Sequence, residues 1–227
     1  LLCRAHPLGQ QAAVVAVGLV DFQVFLQPHV VGDAHRRLLG GVGAVAIVVE
    51  ERLRFGNFLV SAIADPNPVL FFEHKHLYRR IKSEVPDERY TIPFGEARIH
   101  RPGEDVTVVT WGAMVHTAAE AAGQLEQEGV SVEVLDLRTL IPWDRAAVLE
   151  SVRRTSKVLV LHEDTRTGGF GAEIAATIAE EAFEHLDAPL KRIAAPDSPV
   201  PFSPPLEKAF IPQVDDVVAG LRELAAY

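Results

Sequence analysis

A chain of 227 residues with 48% hydrophobic and 23% charged residues can bury one large domain, or one domain and part of a second. Its 31 acidic residues against 22 basic ones leave a net charge of −9, which argues against nucleic acid as a partner and favours a basic protein instead. The single cysteine, Cys3, excludes an intrachain disulfide and a cysteine-based zinc site.

The uncharged apolar runs at 12–20 and 40–49 fall short of the ~20 residues that span a bilayer. Arg4 and His6 are followed by Pro7, Gly9, Gln10 and Gln11 rather than by the apolar stretch of a signal peptide. The expectation is an unsecreted protein with neither a nucleic-acid nor a membrane partner. Residues 1–57 carry five arginines against four acids, +1, so that about −10 falls on the remainder, and no lysine precedes Lys75. This shift in composition suggests a composite, with 1–57 a non-native translation joined to a genuine domain; peptides from 5–54 in a proteome would refute it.

In chain order, Val14–Leu26 is β-rich and reads as a buried strand. The glycines at 40, 41 and 43 fit neither G-x-G-x-x-G nor a P-loop, so that stretch reads as a turn before a strand. Asp65-Pro66-Asn67-Pro68 is a turn, followed by a short strand at 69–72. Pro86, Pro93 and Pro102 mark an extended crossing segment over 81–103, read as an interdomain linker. From 104 the pattern alternates regularly. A strand at 106–110 leads to a helix with Val115, Ala118, Ala119, Ala122 and Leu125 on its apolar face, closing near Gly129. A strand at 130–135 precedes a helix N-capped by Asp144, with Ala147, Val148 and Val152 inward. A strand at 158–161, a glycine turn at Gly168, Gly169 and Gly171, and a helix carrying Ile174, Ile178 and Ala182 come next. A strand at 190–193, a proline-rich stretch and a helix over 214–224 complete the pattern. Such alternation demands a doubly wound α/β domain with a mostly parallel sheet.

Ligands of open parallel sheets gather beyond the carboxyl ends of the strands. Two polar loops fall there, Asp136–Thr139 and His162–Arg166. Consecutive His162, Glu163 and Asp164 are poorly spaced for one ion, and hydrogen-bonded loop and interface roles are the preferred reading. His162 has the intrinsic pKa of a general acid or base but no identifiable partner. The glycine turn reads as structural rather than as an anion site.

Four ordered segments carry a resemblance: SAIADPNPVLFFEHKHLYR from Ser61, WGAMVHTAAEAA from Trp111, VEVLDLRTLIPWD from Val132 and LHEDTRTGGFGAEIAATIAEE from Leu161. From about Phe58 to Tyr227 the chain resembles the β subunit of a branched-chain 2-oxoacid dehydrogenase, the thiamine-diphosphate-dependent decarboxylating component. The resemblance implies that 58–80 is the end of a pyrimidine-binding domain and that 104–227 is a transketolase-type C-terminal domain. It implies oxidative decarboxylation of branched-chain 2-oxoacids such as 3-methyl-2-oxobutanoate, with acyl transfer to lipoyl groups. Pyruvate and acetoin dehydrogenase β subunits are the neighbouring alternatives.

The same resemblance implies thiamine diphosphate shared with an α subunit in an α2β2 heterotetramer, magnesium on the α side, and a dihydrolipoyl acyltransferase core as further partner. It implies a structural potassium ion at the turn after the last helix of the first domain, with Ala62, Asp65 and Asn67 at the matching positions. Localisation would be cytoplasmic, or the mitochondrial matrix in a eukaryote. Residues 1–57 contain no match to the family's cofactor-activating glutamate or its histidine, so catalytic and cofactor-binding residues are left unassigned, and an inert assembly module is the rival reading. Glu207, Asp215, Asp216, Glu223 and the carboxylate of Tyr227 form the candidate acidic docking face for the acyltransferase.

Overall fold

The computed structural model describes residues 90–227 throughout, residues 58–67, 69–74, 76, 77 and 81, and the backbone of 14–18, 45–49 and 52–57. They form two compact units. One comprises the described residues up to Glu96 together with Arg138–Trp143; the other comprises Ala97–Leu137 and Asp144–Tyr227.

The first unit has strands β1 (Val14–Gly18) and β2 (Val45–Val49), helix α1 (Arg52–Ala64) and strand β3 (Val69–Glu73). Both β1 and β2 pair with β3 in parallel. The expected strand over Val14–Leu26 is thus met at 14–18, and the rest of that stretch and the 40–44 turn lie outside the described residues. Phe58 and Ala62 of α1 pack with Val69, Phe71 and Ile92 into a small core.

The second unit holds β4 (Arg98–Arg101), β5 (Val106–Thr110), α2 (Met114–Glu126), β6 (Val132–Asp136), α3 (Arg145–Thr155), β8 (Val158–Thr165), α4 (Gly171–Glu181), β9 (Lys191–Ala195), α5 (Pro204–Phe210) and α6 (Val214–Ala225). Strand β7 (Thr139–Ile141) interrupts this run, because it leaves to join the first unit, where it pairs antiparallel with β2. The sheet of the second unit runs β4-β6-β5-β8-β9, parallel except for β4. The α/β class read from the alternation is the fold observed.

Periodicity decides which side chains face which layer. Along β5, β6 and β8, Val106, Val108, Val132, Val134, Leu159 and Leu161 point toward α2 and α6 and share one buried cluster with them. The alternate residues face α3 and α4 and are buried as well, as a covered sheet requires, with Val109, Leu135, Val158 and Val160 beside the polar Thr107, Glu133 and His162. On that second face lies a buried polar knot. The Arg154 guanidinium is paired with the fully buried Glu133 carboxylate and donates to the Gly103 carbonyl, at 2.6 Å. Thr107 Oγ1 donates to Glu133 at 3.2 Å and sits 2.8 Å from Thr155 Oγ1.

Caps fix the helix ends. Asp144 accepts from the Ala147 N–H at 3.0 Å and also from the Ala97 N–H at 2.8 Å, so one carboxylate both caps α3 and tethers the entry to β4. Gly129, at φ 84°, closes α2 with the Val130 N–H donating to the Leu125 carbonyl at 3.0 Å. The stretch read as a linker includes β4 at 98–101, and the proline-rich stretch includes α5, whose first turn begins with Pro204 and Pro205.

Candidate functional site

In the second unit the strand order reverses between β5 and β8, the place where open α/β sheets hold ligands. Trp111 follows β5, and His162 lies in β8 on the α3/α4 face. Their rings stack with centroids 5.4 Å apart and an interplanar angle of 7°, and Phe170 meets Trp111 edge-on at 6.1 Å. His162 is 0% exposed and Trp111 7%. The crevice is therefore filled by the protein's own rings.

The glycine turn exists to admit this stack. A Cβ at Gly171 would overlap the His162 ring, and one at Gly169 would come within 2.8 Å of His162 Cε1. The first-turn amides of α4 are satisfied internally, since Ala172 N–H donates to Gly169 and the Glu173 and Ile174 N–H groups to Phe170. No donors remain in that turn for an anion at these three positions. Burial lowers the His162 pKa to about 4, helped by the Arg192 charge and opposed by the Asp164 backbone. Neither ring nitrogen has a well-formed hydrogen bond. His162 is a neutral packing group at pH 7, and burial raises the carboxyl of neighbouring Asp164. Among the described residues no group of three His, Cys, Asp or Glu is placed to hold a metal ion.

The loops after β8 and β9 are latched together. Thr167 donates to Asp197 from its amide at 2.9 Å and its hydroxyl at 2.6 Å, which hold the Asp197 carboxyl below its usual range. On the expected acidic docking face, Asp216 is engaged as the capping-box acceptor of the Gln213 N–H, at 2.9 Å, and Glu223 pairs with Lys191. Asp215 and Tyr227 are exposed, and Glu207 is half-buried in the first turn of α5. Asp216 and Glu223 remain exposed despite these bonds.

In the first unit, the positions expected to serve a cation lie together at the end of α1. Ala62 is in the last turn and fully buried. Asp65 Oδ1 accepts from both the backbone and the side-chain amide of Asn67, at 2.8 and 2.9 Å. Two helix carbonyls lose their ordinary donors here. The partner four residues beyond Ala62 is Pro66, which has no N–H, and the Asn67 N–H that would reach Ile63 goes to Asp65 instead. Carbonyls at the negative end of a helix beside a carboxylate form an all-oxygen donor set suited to a hard cation.

The sequence places Arg138 in the polar loop 136–139 but gives it no individual role. The residue adopts φ 58°, donates from Nε and Nη2 to the Glu96 carbonyl at 3.0 and 2.7 Å, and lies 5.8 Å from the Phe58 ring centroid. Thr139 beside it accepts from the Gly95 N–H at 2.9 Å and donates to the Pro142 carbonyl at 2.8 Å.

Residues 95–217 match the family described as transketolase, C-terminal domain, and the chain belongs to that family. Its relatives are β subunits of 2-oxoacid and acetoin-oxidising enzymes. It is 48% identical over 170 residues to the 2-oxoisovalerate dehydrogenase subunit beta of Bacillus subtilis, covering 74% of this chain and 52% of that one. It is 46% identical over 165 residues to the acetoin:2,6-dichlorophenolindophenol oxidoreductase subunit beta of Cupriavidus necator, covering 73% and 48%. A solved split-gene transketolase, described as an inactive beta4 tetramer, superposes with a TM-score of 0.68 at 27% identity, covering 81% of this chain and 57% of that one. The resemblance to branched-chain β subunits is borne out, and the chain spans about half the length of the curated relatives it matches.

Proposed function

We propose that the chain is part of the β subunit of a thiamine-diphosphate-dependent 2-oxoacid dehydrogenase that decarboxylates branched-chain 2-oxoacids such as 3-methyl-2-oxobutanoate. The observation behind this reading is that 2-oxoisovalerate dehydrogenase β subunits stand among its most similar relatives, at 48% and 46% identity, with acetoin-oxidising and pyruvate dehydrogenase β subunits at 46% and 45%. Its partners would be an α subunit, with which it shares the cofactor and which carries the magnesium, and a dihydrolipoyl acyltransferase. It would work in the cytoplasm of a bacterium or the mitochondrial matrix of a eukaryote.

Thiamine diphosphate, when bound, supplies the electron sink for decarboxylation. The described residues do not fit the activating role. The two buried carboxylates, Glu133 and Asp136, are committed to Arg154 and Arg98. No catalytic step is therefore assigned to a side chain of this chain. The donor set of Ala62, Asp65 and Asn67 does fit potassium, which would tie the end of α1 to the following turn.

The absence of an activating acid among the described residues favours a second reading, an assembly module without turnover. Co-expression with an α subunit separates the readings. Membership predicts co-purification of an α2β2 assembly, and the branched-chain assignment predicts that any turnover is highest on 3-methyl-2-oxobutanoate, above pyruvate and acetoin. An assembled but inactive complex supports the second reading, and failure to assemble overturns both.

A further inference from the structure

We infer that Arg138 is a positioning residue for the cation turn at the end of α1; the inference rests on the proposed reading of Ala62, Asp65 and Asn67 as cation ligands. Phe58, Ser61 and Ala62 recur at i, i+3 and i+4 and so share one side of α1. Each of the first two is held by the same stretch of irregular chain, which turns at Phe94 and Gly95. The Phe58 ring stacks on Phe94 at 6.3 Å and 5°, and Ser61 Oγ donates to the Ile92 carbonyl at 2.8 Å. Together they fix the rotation of the helix about its axis. That rotation decides where the Ala62 carbonyl points.

The 92–96 stretch lies outside any strand and needs an outside clamp. Arg138 provides it, with two hydrogen bonds to the Glu96 carbonyl and its guanidinium against the Phe58 ring. One side chain thus grips both the bracing segment and the braced helix. Its backbone is left-handed, at φ 58°, a conformation unfavourable for a residue with a Cβ. The guanidinium contacts stabilise that conformation. Neither Asp65 nor Asn67 touches Arg138 in the bonds described, so its effect on the cation passes through α1.

The test is thermal melting of the full chain as KCl replaces tetramethylammonium chloride at constant ionic strength. Potassium should raise the wild-type Tm by about 5 °C between ~1 and ~100 mM. Asp65→Ala should abolish the rise. Arg138→Ala should raise the potassium concentration at which the Tm begins to climb by about tenfold, the scale at which groups supporting metal ligands act. Arg138→Lys, which keeps the charge over Phe58 but not the fork, should recover part of it and serves if the alanine variant fails to fold. The onset concentration, unlike the baseline Tm, is not moved by a merely structural role. Both variants matching the wild-type onset concentration would overturn the role of Arg138 while leaving the cation reading intact. A wild-type Tm indifferent to potassium would overturn the cation reading and this inference with it.

Discussion

The two units complete their sheets by different means. The second draws all five strands from residues 98–195 and covers both faces with its own helices, around a core that runs through β5, β6, β8, α2 and α6. The first gathers strands from 14–18, 45–49 and 69–73, and takes its fourth from a six-residue excursion made while the second unit is being built. Its described core is five residues, with irregular chain carrying Tyr90, Ile92 and Phe94 packed against α1. Among the described residues, one unit shows layered burial along regular elements, and the other shows individual side-chain clamps around α1. Substitutions can test whether that contrast is energetic as well as geometric.

The largest effect is expected at the polar knot of the second unit. Arg154→Met leaves the fully buried Glu133 without its ion partner; breaking a buried pair from one side costs about 3–5 kcal/mol, and the lower end is expected because the Arg154 side chain is 42% exposed. Denaturant melting at pH 7 measures it. In the first unit, Phe58→Ala removes a ring that is 2% exposed and joins the core, the Phe94 stack and the Arg138 contact, with an expected loss of about 3 kcal/mol. A loss under about 1 kcal/mol would mean that the first unit does not depend on this clamp.

His162 gives a pH-dependent loss of similar size. Its folded pKa is about 4 against an ordinary histidine value of 6.5, so the unfolded chain binds the proton first as pH falls. The contribution is fully present above about pH 6.5, is lost progressively down to the folded value of about 4, and amounts to roughly 3 kcal/mol. Denaturant midpoints between those limits, followed by Trp111 fluorescence in a Trp143→Phe background, should shift steadily. The slope should flatten in His162→Leu.

Smaller effects are expected at the caps. Asp144→Ala removes acceptors from both Ala147 and Ala97 and should cost about 1–2 kcal/mol by chemical denaturation. Asp216→Ala should cost about 1 kcal/mol through the lost capping box, whereas Asp215→Ala should stay within about 0.5 kcal/mol. Equal effects at 215 and 216 would return both to a plain acidic surface.

The second unit was largely legible in the sequence because its strands and helices are long and apolar at the right period. β5 reads VTVVT and is buried throughout, and Asp144 announces α3 as its N-cap. What escaped was short or polar. β4 reads RIHR with no apolar alternation, β7 has three residues, and α5 begins with two prolines that look like loop. His162 was picked out by its chemistry, but its burial was signalled only by the apolar run before it and by the glycines at 169 and 171. Arg138 carried no local signal, because its partners Glu96 and Phe58 are far away along the chain. The turn at Asp65–Asn67 was legible as a turn from its prolines, while the loss of the Ala62 donor follows only once α1 is known to reach Ala64.

The excursion through β7 bears on how such a chain can be cut and recombined. A breakpoint at the apparent boundary near residue 104 would strand β4 on one side and carry Thr139–Ile141 away without the β2 edge it pairs with. The transplanted module would then display an unpaired strand, the template on which sheets of separate molecules join. A fragment beginning at Ala97 keeps its own edge strand but still exports that hook. Gene fusions and splits are therefore constrained here less by linker length than by an obligation to supply a sheet edge for three residues that lie in the middle of the other domain's sequence.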